Sequence, residues 1–254
     1  MGRRIYSVFF WLFLGASSLA CFPVAVLIWL ATLPFDRRLT LLHQFTCFWA
    51  SLYTWLNPAW RVHITGRGRI RPGATYVMVA NHQSLLDILV LFRLFAHFKW
   101  VSKIEIFRVP LIGWNMSMNR YVKLKRGDRA SIAQMMRASE QTLAEGSSIM
   151  MFPEGTRSHD GHLKAFKPGA FALALKMGVP LLPIVIEGTG NALPKRGFVL
   201  QGRHEIRIRV LEPIPSASFA DLSPEELTER VREVFARELR EDERHARRSA
   251  AAGH

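Results

Sequence analysis

The chain has 254 residues, enough for one sizeable core and a small appendage. Its hydrophobic fraction of 49% and mean hydropathy of +0.09 are high for a globular domain alone, and the excess sits at the N-terminus. A formal net charge of +14 calls for an anionic partner; with no zinc-finger spacing, RNP-type motif or basic heptad region, nucleic acid is set aside in favour of anionic lipid or a phosphorylated substrate.

No charged residue occurs from Ile5 to Phe35, a stretch longer than the roughly 20 residues that cross a hydrocarbon core. A secretory signal would have a shorter apolar region and a small-residue cleavage site. Ser18-Leu19-Ala20-Cys21 matches a lipoprotein site only loosely, and the apolar run continues past it. The segment is therefore expected to be retained. Gly15, Ser17 and Ser18 interrupt it, and Pro23 is expected to kink a helix there. Arg3 and Arg4 before it balance Arg37 and Arg38 after it, so flanking charge gives no orientation. One span fits, and so does a helical hairpin with both ends at one face; a re-entrant or two-helix anchor is slightly favoured. In Leu39 to Leu56, Phe45, Phe48, Trp49 and Leu52 fall at helical spacing. That suits a helix at the lipid surface, or one packed on the globular core. Cys21 and Cys47 lie in apolar surroundings without metal-ligand spacing and read as buried free thiols.

From Trp60 short strand-like runs alternate with helices. Trp60 to Thr65 reads as a strand, and Gly66, Gly68 and Pro72-Gly73 mark turns. Thr75 to Ala80 is an apolar run of the buried-strand kind. Ser84 to Phe95 reads as a helix with Ser84 as its cap. Further strands are expected at Phe98–Ser102, Tyr121–Leu124, Ser147–Phe152, Leu181–Ile186 and Glu205–Leu211, with helices at Asp128–Glu145 and Pro168–Met177. Ser223-Pro224-Glu225-Glu226 is a capping box opening a helix to about Arg240, with Leu227, Val231, Val234 and Leu239 inward. The charged, then Ala-rich, tail is expected to be disordered. The organisation predicted is a membrane-anchoring helical segment over 1–58, an α/β domain over 59–243 and a disordered tail over 244–254. The α/β domain is a mixed sheet flanked by helices.

Three constellations carry chemistry. On an ideal helix the five-residue offset between His82 and Asp87 is about 500°, well off a common face. They meet only if His82 precedes the helix, on the turn leaving the strand that ends at Ala80. Asp87 would then hold one ring nitrogen, fixing the tautomer and supporting the imidazolium, while the other nitrogen takes a proton. That is two-thirds of a Ser-His-Asp triad, and the missing hydroxyl can come from the substrate. Ser84 lacks the Gly-x-Ser-x-Gly elbow of a nucleophile, and capping already explains it. Phe152-Pro153-Glu154-Gly155-Thr156-Arg157-Ser158 follows a buried strand, where α/β sheets gather their sites. Arg157 offers a planar fork for phosphate. Gly155 permits close backbone approach, and Glu154 could orient Arg157 or bind a substrate hydroxyl. Lys123-Leu124-Lys125-Arg126-Gly127-Asp128 is a dense basic cluster after a short strand, with Lys164 and Lys167 adding charge later.

Together these blocks resemble the glycerolipid acyltransferase family, and within it the lysophosphatidic acid group. Asn81, His82 and Asp87 match its Asn-His-x-x-x-x-Asp block. Arg126 ends the second block, behind Lys103, Glu105, Pro110, Gly113 and Trp114; the Asn119–Lys125 lead is more basic than the family's usual apolar one. Phe152 to Ser158 match the third block without change, and Val179-Pro180-Leu181-Leu182-Pro183 the fourth. The resemblance covers about residues 60 to 215. It implies a glycerol-3-phosphate acyltransferase-like fold and transfer of a fatty acyl group to the sn-2 hydroxyl of 1-acyl-glycerol-3-phosphate. His82 would be the general base, Asp87 its orienting group, and Arg126, Glu154, Gly155, Thr156 and Arg157 the acceptor's binding residues. Backbone N–H groups near Gly155 are candidate oxyanion donors. The donor would be acyl-CoA or acyl carrier protein, with no metal and no tightly bound cofactor. The partners would be membrane lipids and lysophosphatidic acid, the location a bacterial inner membrane with the catalytic domain on its cytoplasmic face. Another acceptor (glycerol-3-phosphate, a lyso-ornithine lipid or another lysophospholipid) and a non-catalytic lipid-binding protein are the competing readings.

Overall fold

The computed structural model describes residues 2–158, 161–195 and 197–252, the side chains of 241–252 excepted. Seven strands form one sheet: β1 (Trp60–Thr65), β2 (Val77–Ala80), β3 (Phe98–Lys103), β4 (Val122–Leu124), β5 (Ser148–Met151), β6 (Leu181–Glu187) and β7 (His204–Val210). Their order is β1-β7-β6-β2-β5-β3-β4. Only β6 and β7 pair antiparallel; the other neighbours are parallel. The sheet is therefore mixed, as expected, and strand ends fall within two residues of those read from the sequence.

The central strands are buried on both faces, which is why they read as continuous apolar runs rather than alternating ones. Alternation still sorts their side chains. Met78, Ala80, Met150, Leu182 and Ile186 enter one core beneath α2 (Thr40–Trp55) and α3 (Leu86–Phe92). Val77, Val79, Ile149, Leu181 and Val185 enter the other, beneath α5 (Arg129–Ala144), α6 (Gly169–Met177) and α8 (Pro224–Ala252).

Several elements differ from expectation, each for a local reason. The apolar N-terminal run is one unbroken helix, α1 (Gly2–Thr32), which continues through Pro23. A proline removes a single N–H from the ladder. Ser7, Ser17 and Ser18 turn their hydroxyls back to the carbonyls of Arg3, Phe13 and Leu14, so they do not interrupt it either. On α2 the stripe of Phe45, Phe48, Trp49 and Leu52 serves both readings: Trp49 is buried, Phe45 and Leu52 are half-buried and Phe48 is exposed. α3 is shorter than the predicted 84–95. Phe95 adopts a left-handed φ of 51° and its N–H returns to Phe92 O, which closes the helix. The capping box at Ser223 forms as read: Glu226 N–H donates to Ser223 Oγ, and Ser223 N–H to Glu226 Oε2. However, α8 runs on to Ala252, so helical backbone occupies most of the stretch expected to be a disordered tail. Its Glu, Arg and Ala content is strongly helix-forming. Phe235, omitted from the expected inward set, is its central anchor together with Leu227 and Val231. Two further helices, α4 (Ile112–Met118) and α7 (Thr189–Ala192), carry too little periodicity to be read. Cys21 and Cys47 are free thiols, the first half-buried and the second buried.

α1 is long and apolar enough to cross a membrane. It lies against the domain with Ser7, Phe10, Ser18 and Ala25 inward, and leaves Phe9, Leu12, Leu19, Leu27 and Leu30 exposed. Such an apolar face, continued by Phe35, Phe48 and Trp55, marks association with a membrane.

Candidate active site

The site lies where β2 and β5, adjacent and parallel, end side by side. Asn81 leaves β2 and stitches its turn to β6: its Nδ2 donates to Ile186 O, and its Oδ1 accepts from Ile186 N, both at 2.8 Å. The chain then turns at His82 before α3 begins, which satisfies the condition set by the helical offset. Ser84 Oγ accepts from Leu86 N–H and donates to Leu193 O at 2.6 Å. Its hydroxyl is fully buried and already engaged, which fits a cap and not a nucleophile.

Asp87 reaches back from the first turn of α3. Its Oδ2 accepts from His82 Nδ1 at 2.7 Å, from Gln83 N at 2.7 Å and from Ser84 N at 2.8 Å. Its Oδ1 accepts from the Thr189 hydroxyl. An ionised carboxylate has no proton to give, so Nδ1 carries the hydrogen and Nε2 has its lone pair available. The imidazole stacks on Phe152, ring centres 3.9 Å apart and planes 9° off parallel, and Phe152 in turn stacks on Trp100. Ring orientation is thus fixed by a carboxylate on one edge and an aromatic on one face.

Glu154 does not pair with Arg157. Its Oε1 accepts from His82 N at 2.7 Å and its Oε2 from Lys164 N at 3.1 Å. Burial raises its pKa from 4.5 to about 7, against the pull of those two N–H groups. Gly155 sits at φ 68°, with the Lys167 chain lying over it, and its N–H is spent on Phe152 O at 3.0 Å. That N–H is therefore already engaged within its own turn. The following turn is tied back to the first, Ser158 N–H donating to His82 O at 2.8 Å.

His82, Arg126 and Arg157 line one cavity of about 350 Å³. The rest of its wall is largely apolar: Trp49 and Tyr53 from α2, Leu85 at the head of α3, Ile88 and Leu89 on it, and Met116 from α4. Arg126 and Arg157 are close enough to sense each other. Burial lowers the Arg126 pKa, Glu105 opposes this, and Arg157 adds to it. The guanidinium of Arg157 has no carboxylate partner among the described residues. Within the basic cluster the other charges are occupied: Lys123 lies over the Phe107 ring and Lys125 pairs with Asp128. Glu154, Gly155 and Thr156 do not line the cavity. Three of the predicted acceptor residues therefore stand behind or beside the site, and two stand in it. Sequence reasoning missed Thr189 and Asn81's role as a strut, neither of which is signalled by local periodicity, and it did not connect the periodic α2 segment to the cavity wall. No group of three or more His, Cys, Asp or Glu that could hold a metal occurs among the described residues.

A family model described as Acyltransferase matches residues 61–187. A chloroplast 1-acyl-sn-glycerol-3-phosphate acyltransferase of Brassica napus is 36% identical over 235 residues, covering 92% of this chain and 67% of that one. The 1-acyl-sn-glycerol-3-phosphate acyltransferase of Pseudomonas aeruginosa is 30% identical over 197 residues, covering 77% and 76%. Among solved structures, the 1-acyl-sn-glycerophosphate acyltransferase of Thermotoga maritima superposes with a TM-score of 0.77 at 27% identity, covering 95% of this chain and 98% of that one.

Proposed function

Because the chain belongs to the acyltransferase family, we propose that it moves a fatty acyl group from a thioester to the sn-2 hydroxyl of 1-acyl-glycerol-3-phosphate, giving phosphatidic acid. The observation that carries this reading is the arrangement of His82. One nitrogen is held by Asp87, and the ring lines an apolar cavity shared with two guanidiniums. The relatives' names support the acceptor.

In the proposed reaction Nε2 takes the proton of the acceptor hydroxyl, and that oxygen attacks the thioester carbon. The C–O bond forms, the C–S bond breaks, and the imidazolium returns its proton to the departing thiolate. Asp87 stabilises the charge on the ring while it lasts. No protein nucleophile is required, and neither a metal nor a tightly bound cofactor takes part. Arg126 and Arg157 hold the acceptor phosphate, where a planar fork gives two parallel hydrogen bonds. The wall built from α2, α3 and α4 takes an acyl chain. The donor is acyl-CoA or acyl carrier protein, both anionic and suited to a chain of net charge +14.

The anchor reading follows from where α1 is tied. Its start reaches the domain through Arg3 and Gln201, and the turn after it through Arg38 and Gly146 O. Both ends meet the same domain, which supports α1 and α2 as a two-helix anchor held at one membrane face; the face proposed is the cytoplasmic one. The decisive test of the chemistry is His82→Ala. Transfer to lysophosphatidic acid should fall by about 10²–10⁴-fold while vesicle binding persists. Turnover near that of the wild type would remove the mechanism. Equal rates with lysophosphatidic acid and a neutral lysolipid would remove the acceptor assignment.

A further inference from the structure

Thr189 stands outside every motif read from the sequence. The chain leaves β6 at Glu187 and turns at Gly188, whose φ of 84° and lack of a Cβ let it pass against the Glu205 carbonyl. The next residue, Thr189, is fully buried. Its hydroxyl lies 2.5 Å from Asp87 Oδ1, across 102 positions of sequence. Among the described residues its other side-chain hydrogen-bond partner is Gln83 Oε1, at 3.5 Å. Asp87 is itself fully buried. Three donors crowd its Oδ2, and Oδ1 relies on Thr189. The paired hydrogen bonds between Asn81 and Ile186 fix the spacing of the two turns that this contact bridges.

We propose that Thr189 is a positioning residue of the acyl transfer, its hydroxyl holding the Asp87 carboxylate in the rotation that keeps Oδ2 on His82 Nδ1. The inference rests on the reading of His82 and Asp87 as base and orienting group. A carboxylate out of contact with solvent must have both oxygens hydrogen-bonded to stay charged. Among the described residues Oδ1 accepts from no backbone N–H and depends on a side chain at the start of α7. Removing that donor leaves one lone oxygen in a dry site, and the carboxylate relieves it by rotating away from the ring. The proton transfer then loses its oriented base while the acceptor site, built from Arg126 and Arg157, is untouched.

The test compares Thr189→Val, which keeps shape and loses the hydroxyl, with Thr189→Ser, which keeps the hydroxyl and loses a methyl. Both are measured as full chains with lysophosphatidic acid as acceptor. Thr189→Val should lower kcat by about tenfold or more, since hydrogen bonds to charged groups are the strong ones. Acceptor KM should stay at its wild-type value while the melting temperature falls by a few degrees with the orphaned oxygen, and Thr189→Ser should restore turnover. A Val variant with wild-type kcat, a Ser variant as slow as Val, or a loss confined to KM would each overturn the proposal. His82→Ala separates the two readings. If it is inactive while Thr189→Val is normal, only this inference fails; if it is active, the underlying mechanism fails first.

Discussion

The two turns that leave β2 and β5 end at the same edge of the sheet, yet they are built in opposite ways. The 81–87 turn is closed on itself. Its carboxylate gathers the N–H groups of Gln83 and Ser84 and the ring of His82, and Ser84 caps the helix that follows. The 152–158 turn gives its polar groups away. Glu154 serves the backbone of the first turn and of Lys164, and Arg157 is left for the cavity. A general base must present one nitrogen in one direction, so its surroundings are over-determined. A phosphate-binding guanidinium needs reach and two free edges, so its surroundings are open. The difference teaches that one family block can divide its labour: Glu154 supports the neighbouring turn, while Arg157, three residues on, faces the cavity.

The largest effect that would break this comparison belongs to Glu154. Glu154→Ala leaves two N–H groups without an acceptor, one of them on His82. A cost of about 3 kcal/mol is expected, from roughly 1–3 kcal/mol for each buried orphan. Turnover should fall with it, while a ligand-binding role would lower turnover at unchanged melting temperature. The pH dependence sharpens the same point. The Glu154 carboxyl titrates higher in the folded protein than its ordinary 4.5, near 7. Its contribution is therefore fully present below pH 4.5 and is lost as pH rises through about 7. Melting curves of the wild type should show this decline across that window, and Glu154→Gln should lack it. Identical pH slopes for the two would contradict burial as the cause.

Arg157→Ala comes next. Losing a charge-assisted fork costs about 1.5–3 kcal/mol, so acceptor KM should rise roughly 10- to 100-fold with little change in melting temperature. Preference for lysophosphatidic acid over a neutral lysolipid should shrink in step. An unchanged acceptor KM would mean that Arg157 is scaffold, and the contrast between the turns would disappear.

The contrast also marks where sequence reading stops. The His82–Asp87 pair was legible because both ends of the contact lie within one turn, and helical geometry plus a cap decides how they meet. Strands β2, β5 and β6 were legible because burial on both faces leaves an unbroken apolar run. The contacts of Glu154 were not legible because its partners are backbone groups on other segments, and a backbone N–H has no signature in sequence. Thr189 and the strut role of Asn81 were missed because each acts across more than 100 residues, through strand order. That order, with β1 beside β7 and β6 beside β2, depends on pairings far apart in the chain. α8 extends past the end read from the sequence, since a charged, Ala-rich composition serves both a disordered tail and an exposed helix.

The smallest effect probes whether the second turn also offers backbone to a ligand. Gly155 holds φ 68°, and an added Cβ would lie 3.0 Å from Lys167 Cε. That neighbour is the end of a long exposed side chain, which swings aside at little cost. The remaining penalty is the left-handed backbone itself, about 1 kcal/mol. For a domain of this size that is roughly 2–4 °C in melting temperature. If Gly155 only shapes the turn, Gly155→Ala should show this shift and keep kcat and acceptor KM near wild type. If the acceptor passes against the Cα, acceptor KM should rise well beyond what the lost stability explains. Since Gly155 N–H is already spent on Phe152 O and the residue does not line the cavity, the first outcome is expected. The acceptor's grip then comes from guanidiniums alone, and the glycine, like the glutamate before it, belongs to the frame.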